Sequence, residues 1–276
     1  MNYKHWLVYA VNKLSYKKGS KRDAEILLQY VTGNTRTFIM ALDETELTSN
    51  QQKKLEHLLN RRAIGEPIAY LVEEKEFWSL SIKVLPISLI PRSDTECLVE
   101  KALQLSSGKQ WRKILDLGTG TGAIAIALAS EYPEANVVGV DINDDIISLA
   151  KFNASNLSIN NVKFYKSNWF SLIPIQKFDI VISNPPYIDK SDPHLQEGDL
   201  RFEPKIALIS PNNGLAYSQL IIEQSCNYLS NNGWLLLEHG CSQGKFIREL
   251  FLSHFYKNIV TFQDYSGNDR ITVGQW

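Results

Sequence analysis

The chain is poor in the features that would force a special fold on it. Only three cysteines occur in 276 residues. Cys97, Cys226 and Cys241 form no Cys-x-x-Cys pair and have no histidine cluster beside them, which argues against a disulfide framework or a zinc site. Charge of neither sign dominates: 29 Lys and Arg against 30 Asp and Glu give a formal net charge of −1. There is thus no overall basic field of the kind that drives nonspecific binding to nucleic acid. No uncharged run approaches the ~18 residues of a spanning helix. The apolar core Trp6 to Val11 is too short for the hydrophobic region of a signal peptide. These absences predict a cytoplasmic protein with no membrane partner and no stable nucleic-acid partner. What remains is an ordinary globular composition, with chain enough for one large domain and a smaller one.

One local exception is the first 22 residues, which carry Lys4, Lys13, Lys17, Lys18, Lys21 and Arg22 and no acid. Such a run is either a docking patch or a solvated helix face.

The apolar pattern changes twice along the chain. Over residues 1–75, Trp6, Leu7, Ala10 and Leu14, then Ala24, Leu27, Leu28 and Val31, then Leu55, Leu58 and Leu59 recur at near-helical spacing, which predicts a small helical bundle. Gly33 suits a helix end and Thr48-Ser49-Asn50 a helix start. Over 76–92 the alternation from Glu76 to Val84 predicts a half-buried strand within a hairpin linker. The third region, 93–276, alternates strands with helices from Lys113 onward, which specifies an α/β domain with a parallel sheet covered on both faces. Strands near Ile259 to Phe262 and Arg270 to Val273 complete that sheet.

Chemistry enters at Asp116-Leu117-Gly118-Thr119-Gly120-Thr121-Gly122, between the first parallel strand and its helix, where backbone must approach a ligand with no Cβ intervening. A lone glycine-rich turn is a weak signal. Here, however, the preceding acid Asp116 disfavours a phosphate and favours a cation, while Asp141 ends the next strand where a carboxylate accepts from ribose hydroxyls. An adenosine bearing a cationic amino acid portion meets both conditions, and S-adenosyl-L-methionine is such a molecule. The segment resembles the class I, Rossmann-like methyltransferases, a likeness that places Trp169 at the adenine pocket.

The second motif is Asn184-Pro185-Pro186-Tyr187, directly behind the apolar run Phe178 to Ser183. Two prolines stiffen the loop and cannot donate backbone hydrogen bonds, so its carbonyls and the Asn184 side-chain oxygen are left as acceptors for an NH2 group. Tyr187 adds a flat face for a conjugated amide or a base. A Pro-Pro pair also marks ordinary turns, and an exocyclic adenine amine presents the same donors as a carboxamide. His194 lies nearby in sequence, but a loop histidine is usually solvated, and orientation rather than a general base is what the reaction needs. Ser93 or Asp94 is expected to cap a helix from Thr95 to Leu105. Glu203-Pro204 reads as a loop stop.

Further stretches are Gly65-Glu66-Pro67-Ile68-Ala69-Tyr70-Leu71, Leu89-Ile90-Pro91-Arg92-Ser93-Asp94-Thr95-Glu96, and Gly198-Asp199-Leu200-Arg201-Phe202-Glu203-Pro204-Lys205-Ile206-Ala207-Leu208. With these the chain resembles, over nearly its full length, the release-factor glutamine methyltransferase family of the HemK or PrmC type. The resemblance implies a Rossmann-like class I methyltransferase sheet behind a helical, substrate-docking domain. It implies methylation of the side-chain N5 of the glutamine in the Gly-Gly-Gln motif of peptide-chain release factors, with S-adenosyl-L-methionine as donor. Gly118, Thr119, Gly120, Thr121, Gly122, Asp141, Trp169 and Asn184 would bind the cofactor. Asn184, Pro185, Pro186 and Tyr187 would hold the glutamine, with Asn184, Pro185 and Tyr187 as the catalytic set. A sister family acting on a ribosomal-protein glutamine, and adenine N6 methylation, stay open as alternatives. Two positions depart from the family pattern: Ser93 stands where proline is common, and Asn168 where an acid often precedes the tryptophan.

Overall fold

The computed structural model describes residues 1–14, 19–106, 108 and 111–276. Lys17 and Lys18 of the basic stretch lie outside the described residues. Of the others, Lys4 faces Asp43 (3.8 Å), Lys13 faces Glu56 (2.6 Å) and Arg22 faces Glu25 (3.7 Å), as on a solvated, charge-paired helix face. The chain divides into two compact units, Met1–Glu74 with Gln196–Phe202, and Lys75–Leu195 with Glu203–Trp276.

The first unit contains α1 (Tyr3–Lys13), α2 (Ser20–Thr32), α3 (Arg36–Ala41), α4 (Ser49–Ala63) and α5 (Ile68–Val72). Their apolar faces meet around Trp6, Leu27, Leu28, Leu55 and Leu59. Local sequence sets the ends. Thr48 opens α4 with a capping box, its Oγ1 accepting from Gln51 N (3.2 Å) while Gln51 Oε1 accepts from Thr48 N (2.9 Å). Gly33 closes α2 at φ 72°, a left-handed value glycine reaches freely. Gln196–Phe202 joins this unit through polar groups: Arg201 donates to the Ile64 carbonyl (2.7 Å), and buried Arg62 pairs with Asp23 (2.7 Å) and faces Asp199 (3.8 Å).

The second unit opens with the hairpin β1 (Glu74–Phe77) and β2 (Leu80–Lys83). Trp78 and Ser79, both at positive φ, make its turn, so the alternation from Glu76 to Val84 is broken into two short strands rather than one. Helix α6 (Ser93–Leu105) follows. It starts earlier than the expected Thr95: Arg92 occupies the cap position, with no side-chain capping bond, and Ser93 and Asp94 are already helical. Asp94 and Glu96 then lie in the first turn, where the positive end of the helix dipole favours acids.

Next come β3 (Lys113–Leu117), α7 (Ala123–Glu131), β4 (Asn136–Asp141), α8 (Asp144–Asn156), β5 (Val162–Lys166) and β6 (Phe178–Ser183). The chain ends with α9 (Pro211–Gly214), α10 (Ala216–Ser225), β7 (Leu229–Glu238), α11 (Gly244–Ser253), β8 (Lys257–Gln263) and β9 (Asp269–Gln275). The seven-stranded sheet has the order β5-β4-β3-β6-β7-β9-β8. The first five strands are parallel, and β9 runs antiparallel between β7 and β8. Successive residues of β6 feed opposite cores: Ile180 and Ile182 on one face, Phe178 and Val181 among the other. Burial on both faces is why these strands read as unbroken apolar runs. Among the described residues no helix is long and apolar enough to cross a membrane.

Candidate active site

From β3 the chain moves outward to β4 and β5, then returns to place β6 on the other side of β3. Connections therefore diverge beyond the carboxyl ends of β3 and β6, and a doubly wound sheet opens a crevice there. A cavity of about 300 Å³ occupies that place, its walls including Gly118, Thr119, Gly120, Thr121, Asp141, Trp169 and Asn184. The ends of four strands thus bring together every residue expected to hold the cofactor except Gly122, which sits behind the wall as the cap of α7.

The glycine loop is held from below and from the side. Gly122 has φ 83°, which favours glycine, and a Cβ there would lie 3.0–3.2 Å from side-chain atoms of Phe164, Ile126 and Ala150, which would have to shift slightly. Asn153 of α8 is 1% exposed; its Nδ2 donates to the carbonyls of Thr121 (2.9 Å) and Lys83 (3.0 Å), and its Oδ1 accepts from Lys83 N (2.9 Å). A single amide thereby ties loop to hairpin with its polar atoms engaged.

Asp116 differs from expectation. It is fully buried, accepts from Thr119 Oγ1 (2.6 Å) and does not line the cavity. The loop folds back over the strand end, so this acid shapes the loop rather than presenting a charge to a ligand. Burial raises its pKa to about 7. Asp141 does reach the wall, accepting from Gly120 N (3.1 Å) and Asn143 N (3.2 Å). Burial raises its pKa as well.

Trp169 stands opposite Gly118, where an added Cβ would lie 3.4 Å from the indole ring. Its backbone is left-handed (φ 51°), and Tyr217 packs against it with ring centroids 5.2 Å apart. This cradle fits an adenosine ligand on three counts: bare backbone at Gly118, a carboxylate at the ribose position, and an aromatic wall.

Asn184 directly follows β6, its Nδ2 donating to Thr95 Oγ1 (3.2 Å). Pro186 shares the cavity wall; Pro185 and Tyr187 are not among its lining residues. Tyr187, expected to offer a flat face, is half-buried. Its hydroxyl donates to Glu238 (3.3 Å), and Gln243 donates to its carbonyl (3.0 Å), so the residue braces the loop from behind. Rigid prolines fix the path of the chain, but they do not say which way the next side chain turns. Burial, then the nearby Glu238 charge, raises the Tyr187 phenol pKa. Burial likewise brings Glu238 up to about 7, against interactions with Thr95, Arg270 and Tyr187 that favour its anion.

Other sequence expectations also meet the structure here. His194 is exposed, bonded to Asp192 Oδ1 (2.7 Å), and absent from the cavity wall. Glu203 is more than a loop stop: its buried carboxylate pairs with Arg92 (2.5 Å), and Arg92 lines the cavity. Asn168 lines the cavity next to Trp169. Tyr217 and Ile142 line it too and carried no sequence signal, one arriving from distant α10 and the other reading as an ordinary apolar residue.

Residues 5–72 match the model of the PrmC N-terminal domain, and residues 109–271 that of a methyltransferase domain. The release factor glutamine methyltransferase of Escherichia coli K12 is 51% identical over 276 residues, covering all of this chain and 99% of that one. Its namesake in Salmonella typhimurium LT2 is 53% identical with the same coverage. Among solved structures, the hMettl16 catalytic domain in complex with the MAT2A 3'UTR hairpin 1 has a TM-score of 0.59 at 15% identity, covering 90% of each chain. A methyltransferase from Pyrococcus furiosus has a TM-score of 0.53 at 18% identity, covering 83% of this chain and 98% of that one. The last two likenesses are of fold alone.

Proposed function

This chain belongs to the release factor glutamine methyltransferase family, and on that premise we propose that it methylates the side-chain N5 of the glutamine in the Gly-Gly-Gln motif of peptide-chain release factors. The donor is S-adenosyl-L-methionine, held by Gly118 to Thr121, Asp141 and Trp169; when bound, it supplies an electrophilic methyl on a sulfonium. What carries the reading is that one cavity wall holds Asn184 together with Gly118, Asp141 and Trp169.

A carboxamide nitrogen is a poor nucleophile because its lone pair is delocalised, so the protein's task is orientation and charge. Asn184 Oδ1 and the Pro185 carbonyl accept from the two N–H bonds of the target amide. They stabilise positive charge as it grows on that nitrogen and hold it in line for attack. Pro186 walls the amide in, and Tyr187 braces the loop. The helical unit, rich in paired surface charge and free of chemical motifs, holds the release factor, and with such a substrate the reaction is a cytoplasmic one.

The test is to incubate the protein with methyl-labelled S-adenosylmethionine and, separately, purified release factors, ribosomal proteins and nucleic acid. Label on a release-factor glutamine, located by peptide mass, is expected. Label on ribosomal protein or nucleic acid alone overturns the substrate. Asn184→Ala should lower transfer by on the order of 10²–10³-fold with an unchanged unfolding midpoint.

A further inference from the structure

We propose that Thr95 is the positioning residue for Asn184, its hydroxyl selecting which end of the asparagine amide faces the target nitrogen. This rests on the reading that Asn184 accepts from the substrate amide. An asparagine side chain has two ends of nearly equal shape and opposite hydrogen-bonding character. With Oδ1 toward the cavity it attracts an incoming NH2; turned over, it meets that NH2 with another NH2. Nothing within Asn184 chooses between these.

Thr95 supplies the choice. It lies in the first turn of α6, is 4% exposed and lines the same cavity as Asn184. Its Oγ1 accepts from Asn184 Nδ2 at 3.2 Å. In the structure that hydroxyl takes the NH2 end of the amide, which leaves Oδ1 for the target nitrogen.

Thr95→Val keeps the shape and removes the hydroxyl; Thr95→Ser restores it. With the release factor as substrate, Thr95→Val is expected to lower kcat on the order of 10- to 100-fold and to leave KM within about twofold. Thr95→Ser should recover most of the loss. An independent readout is the side-chain amide pair of Asn184 in 15N-labelled protein without substrate, identified by its disappearance in Asn184→Asp. Thr95→Val should shift that pair and speed its exchange with water, and Thr95→Ser should restore it. Wild-type kcat in Thr95→Val, unaltered Asn184 amide signals, or a Thr95→Ser variant as impaired as Thr95→Val each overturn the proposal. If the wild-type protein labels no release factor, the functional reading fails instead, and the amide signals still decide the Thr95 to Asn184 bond.

Discussion

Trp169 holds a bulky side chain on a left-handed backbone (φ 51°), a conformation that costs on the order of 1–3 kcal/mol and persists only where surroundings enforce it. Ser167 enforces it here, donating from Oγ to the Trp169 carbonyl (2.7 Å) and accepting from Leu172 N (3.1 Å). The strain delivers an indole to the cavity wall. Trp169→Ala should weaken binding of S-adenosylhomocysteine by tenfold or more in calorimetry, stacking being worth roughly 0.5–1.5 kcal/mol beyond area burial. At Gly122, alanine combines positive φ with a crowded Cβ, so Gly122→Ala should lower the urea-unfolding free energy by about 1–3 kcal/mol. Residues of this scale were legible where residue type, strand end and spacing coincided, as at Asp141 and Asn184. Tyr217 was hidden because a helix far along the chain delivers it. Thr95 passed as part of a helix start, since its partner Asn184 lies 89 positions away.

Helix ends follow the same logic one level up. A helix start at Thr48-Ser49-Asn50 was visible because its signals are local, and the structure makes Thr48 the cap, in a capping box with Gln51. Thr48→Ala should cost about 1 kcal/mol, read as a lower midpoint in the unfolding of the helical unit. The start of α6 was misplaced by two residues because its sequence offers several polar cap candidates and the chain uses none of their side chains. What fixes that segment is instead the pair Arg92–Glu203, formed across more than a hundred residues. Glu203 is fully buried while Arg92 is a third exposed, so Arg92→Ala, which leaves the Glu203 carboxylate short of a partner, should destabilise by about 1–3 kcal/mol in denaturant unfolding. Local rules see caps; they do not see partners brought by topology.

At the scale of the molecule, two buried carboxyls govern the response to pH. Burial lifts the folded pKa values of Asp116 and Glu238 to about 7, from ordinary values of 3.8 and 4.5. Between about pH 4.5 and 7 the folded chain binds their protons and the unfolded chain does not, so stability falls as pH rises through this window. Buried His239, its pKa lowered from 6.5 by desolvation, opposes the trend, but Asp141, raised by burial, adds to it. The carboxylates that Arg36 and Lys13 hold down, Glu25 and Glu56, act below the window. Unfolding free energy measured from pH 5 to 8 should therefore decline, and Glu238→Gln should flatten the decline. Alternating strands and helices made the parallel sheet readable at this scale. The order of its strands, and the membership of Gln196–Phe202 in the helical unit, were not, because both are set by pairings between distant residues.

Asn153 gives the glycine loop its shape before any nucleoside arrives. An incoming ligand has no ordering of that loop left to accomplish, so association should be a single encounter. In stopped-flow mixing, Trp169 fluorescence should relax at a rate that climbs linearly with ligand concentration and shows no plateau. Asn153→Ala, which unties the loop from Lys83, should introduce the plateau by making closure a separate, slower event.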